Sequence, residues 1–177
     1  MEAHLSSITQ VSYARLLTPE PLVVIPCVGG KDSSLAYAND VFACIDSSFI
    51  DWNLNIDQPA TEMTQVSVFE IRNVKEHLGQ TILYFFKGNE ESVAFESQKQ
   101  IKQFAIDYPG WLCNKPGGTF FLFVNKVKAK NTVYLVNIKI NTDGSLEVSL
   151  PTPLKVFLWN ASESYRFVFQ AKGLLVP

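Results

Sequence analysis

The sequence is poor in the residues that most often carry chemistry. It has two histidines and three cysteines. Cys27, Cys44 and Cys113 are odd in number and widely spaced, which excludes a multi-bridge disulfide framework and any CxxC metal or redox pair. Such cysteines usually behave as small buried hydrophobes. Reduced thiols predict a cytoplasmic protein, although one disulfide with a thiol left over fits the count as well. Neither sign of charge dominates, with Lys+Arg at 15, Asp+Glu at 17 and a formal net charge of -2. That balance argues against nucleic acid as a partner, because neutralising phosphates takes a concentrated basic surface. Long apolar runs are also missing. Stretches such as Phe120 to Val124 fall far short of the ~20 residues needed to cross a bilayer, so no membrane partner is expected. The N-terminus carries Glu2 and no basic patch ahead of an apolar stretch, so no secretory signal is expected. The Asn160-Ala161-Ser162 sequon then has no route to glycosylation.

What is present is apolar. Hydrophobic residues make up 47% of the chain, aromatic residues 12% and charged residues 18%, a composition that packs a core and excludes a disordered, solvated chain. Repeats, low-complexity tracts and linkers are absent, and a single domain over residues 1–177 is expected from a length within the usual ~100–200 residues.

The N-terminal half is mixed in pattern. Leu5, Ile8, Val11 and Leu16 share a loose stripe that predicts a short helix over His4 to Leu17, ended by Pro19 and Pro21. Leu22 to Val28 reads as a strand that Pro26 confines to an edge or a short piece. Leu35, Ala38, Phe42 and Ile45 form a helical stripe that Ser33 or Ser34 can cap. Asp51 to Asp57 alternates, with Trp52, Leu54 and Ile56 on one side, and predicts a strand. Val66 to Arg72 and Thr81 to Lys87 are further strands.

The clearest helix comes next. Gly88-Asn89 offers a cap, Glu90 and Glu91 suit the positive first turn, and Lys99 and Lys102 come later. Ala94, Ile101, Phe104, Ala105 and Tyr108 make its buried stripe, and Pro109-Gly110 stops it. Beyond Gly118 the pattern is of strands. Thr119 to Val127 is apolar on both faces, and Thr132 to Ile140 turns Tyr134, Val136, Ile138 and Ile140 inward. Asn141-Thr142-Asp143-Gly144 is a hairpin turn, after which Leu146, Val148 and Leu150 continue the inner face. Val156 to Trp159, then Tyr165, Phe167 and Phe169, extend the same alternation. The fold class is therefore α+β. An antiparallel β-meander in the C-terminal half packs on one main helix near Val93 to Tyr108, and a smaller N-terminal α/β portion completes a single core.

Four constellations invite a chemical reading. Val28-Gly29-Gly30-Lys31-Asp32-Ser33 resembles the phosphate loop of the ATP-pyrophosphatase family, whose pattern is Ser-Gly-Gly-x-Asp-Ser. The resemblance implies nucleotide binding through Gly29, Gly30, Lys31, Asp32 and Ser33, with backbone N–H groups and a helix N-terminus holding a polyphosphate. Val28 stands where that family has its first Ser, and the family's parallel sheet conflicts with a meander. The plainer reading is a Gly-Gly turn. Asp51, Asn53, Asn55, Asp57 and Glu62 place oxygens at the spacing of an EF-hand calcium loop. Ile56, however, takes the position where Gly allows the sharp turn, and a half-buried strand explains the same alternation. Thiol catalysis needs a cysteine with a histidine as base, and His77 with Cys44 or Cys113 is the available set. Lys126, Lys128 and Lys130 share a face at strand spacing with Lys139 opposite, and with Phe121 and Phe123 nearby they suggest a small patch for anions or single-stranded nucleic acid, beside the plainer reading of a row that protects an exposed strand or keeps the chain soluble.

Tyr37-Ala38-Asn39-Asp40-Val41-Phe42, with Ile45-Asp46-Ser47-Ser48-Phe49, is similar to a stretch of a group of small uncharacterised bacterial proteins. Gly118-Thr119-Phe120-Phe121-Leu122-Phe123 and Glu163-Ser164-Tyr165-Arg166-Phe167-Val168 resemble the same group. No activity comes with that resemblance. Because no polar constellation outweighs its plainer reading, the sequence points to a non-enzymatic binding or assembly protein. Its partner is a protein or a second copy of the chain, and no cofactor is expected. The alternative is a small enzyme, nucleotide-binding through the Gly29-Gly30 loop or thiol-dependent through a cysteine with His77.

Overall fold

The computed structural model describes residues 16–17, 23–25, 28–30, 34–56, 58–61, 64–71, 90–126, 132–150 and 164–170. Strand β7 (Gly117–Asn125) is buried along its whole length. A strand with both faces out of water must also have its main-chain groups paired on both edges. On one edge it takes β8 (Thr132–Ile140), antiparallel, in a register from Thr119 opposite Ile138 to Asn125 opposite Thr132. The Asn141–Ser145 turn then returns the chain as β9 (Leu146–Ser149), antiparallel to β8. Gly144, at φ +85°, donates its N–H to the Asn141 carbonyl at 3.0 Å, as the Asp-Gly pair predicts.

The other edge of β7 departs from a simple meander. Strand β10 (Ser164–Gln170) does not continue beside β9 but lies parallel to β7 and antiparallel to β6 (Thr64–Ile71). Beyond β6 come β1 (Leu16–Leu17) and β2 (Val23–Ile25), which pair with successive parts of it. Beyond β9 lies β4 (Cys44–Ile45), again parallel. The eight strands thus form a mixed sheet in the order β1-β6-β10-β7-β8-β9-β4, with β2 also on β6. Strands β3 (Val28–Gly30) and β5 (Gln58–Thr61) make a separate antiparallel pair. The fold is α+β, and the antiparallel meander holds only for β7–β8–β9. Alternation fixes which face a side chain takes, not which neighbour its strand selects or in which direction.

Side chains directly opposite one another share a face. Phe121, Phe123, Val136, Ile138, Val148 and Val168 therefore point one way, onto a core completed by Ile101, Phe104 and Leu112. Tyr165, Phe167 and Phe169 point the other way with Phe120, and all four are buried. Phe167 stacks between Phe120 and Phe169 at 5.3 and 5.4 Å. Tyr165, Phe167 and Phe169 keep the expected alternation but lie on the face opposite Val148, and the middle of the sheet is buried on both sides.

The main helix is broken. Helix α2 (Glu90–Val93) ends before Phe95, whose N–H donates to the Leu122 carbonyl at 2.7 Å and whose carbonyl accepts from Val124 N–H at 2.9 Å. Phe95 takes the edge of β7 where β10 pairs no further than Phe121. Ser97 then starts α3 (Gln98–Asp107) afresh, its side chain accepting from Lys99 N–H at 3.2 Å. Pro109 opens a 3-10 turn, Pro109–Trp111, as the stop signal predicts. That turn is pinned to the sheet by two register neighbours. Arg166 donates to the Trp111 and Leu112 carbonyls at 3.0 and 3.2 Å, and Thr119 accepts from Cys113 N–H at 2.7 Å.

Other expectations shift in the N-terminal half. Leu16–Leu17 is a strand instead of a helix end, and the run Leu22 to Val28 is divided between β2 and β3. The expected strand Thr81 to Lys87, the expected strand Val156 to Trp159 and most of His4 to Leu17 lie outside the described residues.

Candidate functional site

The segment 34–56 covers one end of the sheet's α3-facing side and is built from short pieces. Ser34 caps a 3-10 turn, Leu35–Tyr37, its hydroxyl accepting from Ala36 N–H at 3.1 Å. The expected helical stripe survives in burial, since Leu35, Ala38 and Phe42 are all buried. The helix itself does not survive. A single turn closes on the Ala38 carbonyl, and the chain is already extended at Cys44–Ile45.

Helix α1 (Ser48–Asp51) comes next. Asp46 Oδ1 accepts from Ser48 N–H at 2.8 Å and so satisfies an N-terminal donor of α1. The helix ends in a Schellman motif. Asn53 takes φ 54°, its N–H donates to the Ile50 carbonyl at 2.9 Å, and Leu54 N–H donates to the Phe49 carbonyl at 2.8 Å. The strand expected over Asp51 to Asp57 is therefore, over its described residues 51–56, a helix end and a turn. Its alternation arises because Leu54 folds back beside Phe49 in the core, while Trp52 and Ile56 are half-buried.

Both ends of the segment are held by one side chain. Gln98, in the first turn of α3, is fully buried. Its Oε1 accepts from Leu35 N–H at 2.9 Å and from the Ser34 hydroxyl at 3.4 Å, and its Nε2 donates to the Leu54 carbonyl at 2.8 Å. Ser34 also reaches the Leu54 carbonyl, at 3.1 Å. On the outside, Lys102 of α3 lies 2.8 Å from both carboxylate oxygens of Asp40. That bond and the lysine's charge hold the Asp40 carboxyl below its ordinary range.

The outward side of this segment carries two large apolar side chains among exposed polar ones such as Asn39, Asp40, Ser47 and Asp51. Tyr37 is 55% exposed and Ile50 51% exposed, on the neighbouring 3-10 turn and α1. Tyr37 is steered by its hydroxyl, which accepts from Asn55 Nδ2 at 3.0 Å. Trp52 packs on Tyr134 of β8 with ring centroids 5.8 Å apart. The sequence pattern marks neither Tyr37 nor Ile50 as a functional residue, and Gln98 carries no signal in it. Its position in a helical first turn is usually solvent-facing for a polar residue.

The residues that the sequence does single out are dispersed. Asp51 accepts from the Ser47 hydroxyl at 3.1 Å, Asn53 supplies the left-handed turn, and Asn55 serves Tyr37. Asp57 and Glu62 lie outside the described residues. Gly29 and Gly30 belong to β3, opposite β5, so the expected Gly-Gly turn is a strand. Lys31, Asp32 and Ser33 lie outside the described residues, and the next described helix is the three-residue turn capped by Ser34. Cys44 is exposed on β4, while Cys113 is buried, its thiol donating to the Lys115 carbonyl at 3.8 Å. His77, their expected base, lies outside the described residues, as do Lys128 and Lys130. Lys126 pairs with Glu96 at 2.7 Å, and Lys139 sits opposite Glu147 in the β8–β9 register. Among the described residues, no group of three His, Cys, Asp or Glu side chains is placed to hold a metal ion. No described helix is long and apolar enough to cross a membrane.

Fold and surface together define an α+β protein with a mixed sheet and an irregular, side-chain-anchored cover. No protein-family model, curated protein or solved structure matches the chain.

Proposed function

We propose that this chain is a non-enzymatic binding or assembly protein. It contacts a protein partner, or a second copy of itself, through the outward side of the segment 34–56. The observation that carries this reading is the exposure of Tyr37 and Ile50 on adjoining turns. A single exposed apolar side chain is ordinary. Here two large ones stand on a segment whose ends are tied down by buried hydrogen bonds at Gln98. Such a surface is preorganised, so a partner that covers it does not have to order the chain first. Burying one such side chain fully is worth about 1.5–3 kcal/mol, and roughly half of that is still to be gained at each position. Asn55 donates to the Tyr37 hydroxyl, and Asp40 on the same segment is engaged by Lys102. A cytoplasmic location belongs to the same proposal, in keeping with free thiols at Cys44 and Cys113.

The test has two arms. Sedimentation velocity over a wide concentration range reads self-association. A photo-crosslinking residue at position 37, with and without competing unlabelled protein, reads contact with another protein. Ile50→Ser is expected to weaken whichever contact is found while shifting the melting temperature little, since half of that side chain already meets water. A contact that survives both Tyr37→Ser and Ile50→Ser places the interface elsewhere. A chain that stays monomeric and captures no competable partner removes the assembly reading altogether.

A further inference from the structure

We draw no further inference here: the strongest candidate, the pair of exposed apolar side chains Tyr37 and Ile50 on the segment 34–56, is the surface on which the proposed function already rests, and nothing in the structure shows which partner covers it.

Discussion

Strands β7 and β8 hold one another by main chain, whereas the segment 34–56, apart from the short pairing of β4 with β9, is held by side chains that reach main chain. In the first region the ladder runs unbroken from Thr119 opposite Ile138 to Asn125 opposite Thr132, and its bonds do not depend on which side chains are present. Each side chain there contributes its own burial. In the second region the elements are two to four residues long and cannot persist alone. Their geometry depends on Ser34, Asp46, Asn53 and Gln98, each of which satisfies specific N–H or C=O groups. The ladder is thus sensitive to volume and backbone space, and the cover to the loss of single polar groups.

The largest effect is expected where the ladder's own start is crowded. Gly118 has φ +88°, and a Cβ built there would lie 2.4 Å from Asn137 Oδ1 and 2.8 Å from the Ile138 carbonyl oxygen. Gly144 has nearly the same φ, +85°, with nothing within 4 Å of such a Cβ. Gly144→Ala is therefore expected to cost about 1 kcal/mol, from backbone conformation alone. Gly118→Ala adds a collision with main chain that cannot rotate away, for a total of about 3 kcal/mol or more. Asn137→Ala should rescue only part of the difference, because the Ile138 carbonyl remains. Urea unfolding of the three variants measures this. Equal losses for the two glycines would show that the strand ends move apart easily and that the ladder is less rigid than its register implies.

Next in size is the clasp of the cover. Gln98→Leu keeps the volume but removes the acceptor of Leu35 N–H and a donor to the Leu54 carbonyl. Leaving buried groups unpaired costs about 1–3 kcal/mol each when no water reaches them, so a total of about 2–4 kcal/mol is expected. Amide hydrogen exchange gives the sharper reading. Protection should fall at Leu35, Ala36 and Leu54 while Leu122 and Val124 of β7 keep theirs up to global unfolding. A uniform loss across both regions would mean that the cover and the ladder open together. No loss at all would mean that Leu35, Phe42, Phe49 and Leu54 hold the cover by packing alone.

The same contrast explains what can be read from the sequence. Strand β8 is legible to its ends, Thr132 and Ile140, because alternation is a direct consequence of the pleat. The Asp143-Gly144 turn and the Pro109 stop are legible because each acts through local backbone conformation. What stays hidden depends on distant partners. Phe95 leaves the helix to pair with the edge of β7 beyond the stretch that β10 takes, and β10 runs parallel to β7 on that same edge. The alternation of Trp52, Leu54 and Ile56 has two physical origins, a strand or a helix ending in a left-handed residue, and only Asn53 distinguishes them. Of the candidate site, Asn55 stands out in the sequence for its oxygen, yet its use is to steer Tyr37 with its N–H group. Gln98 is invisible there because its importance comes from residues 34, 35 and 54, far away along the chain.

The smallest expected effect lies on the outside of the same cover, at the Asp40–Lys102 pair. The Asp40 side chain is well exposed, so solvent screens the pair. The sign of its contribution is nonetheless fixed. The lysine's bond and charge lower the Asp40 carboxyl below the ordinary carboxylate value. A group depressed on folding contributes its full stability above the unfolded value and loses it as pH falls through the folded one. The window is thus the acid side, below about pH 4, with no change near neutrality. Carboxyl NMR titration of Asp40 should give a midpoint below that of the Lys102→Gln variant, and added salt should bring the two together. Stability of Lys102→Gln at neutral pH should stay close to that of the parent, in contrast to Gln98→Leu one turn earlier on the same helix. If the two Asp40 midpoints coincide at low salt, the ammonium spends its time in water. The cover is then anchored from within, by Gln98 and its partners, and the outer pair adds nothing to it.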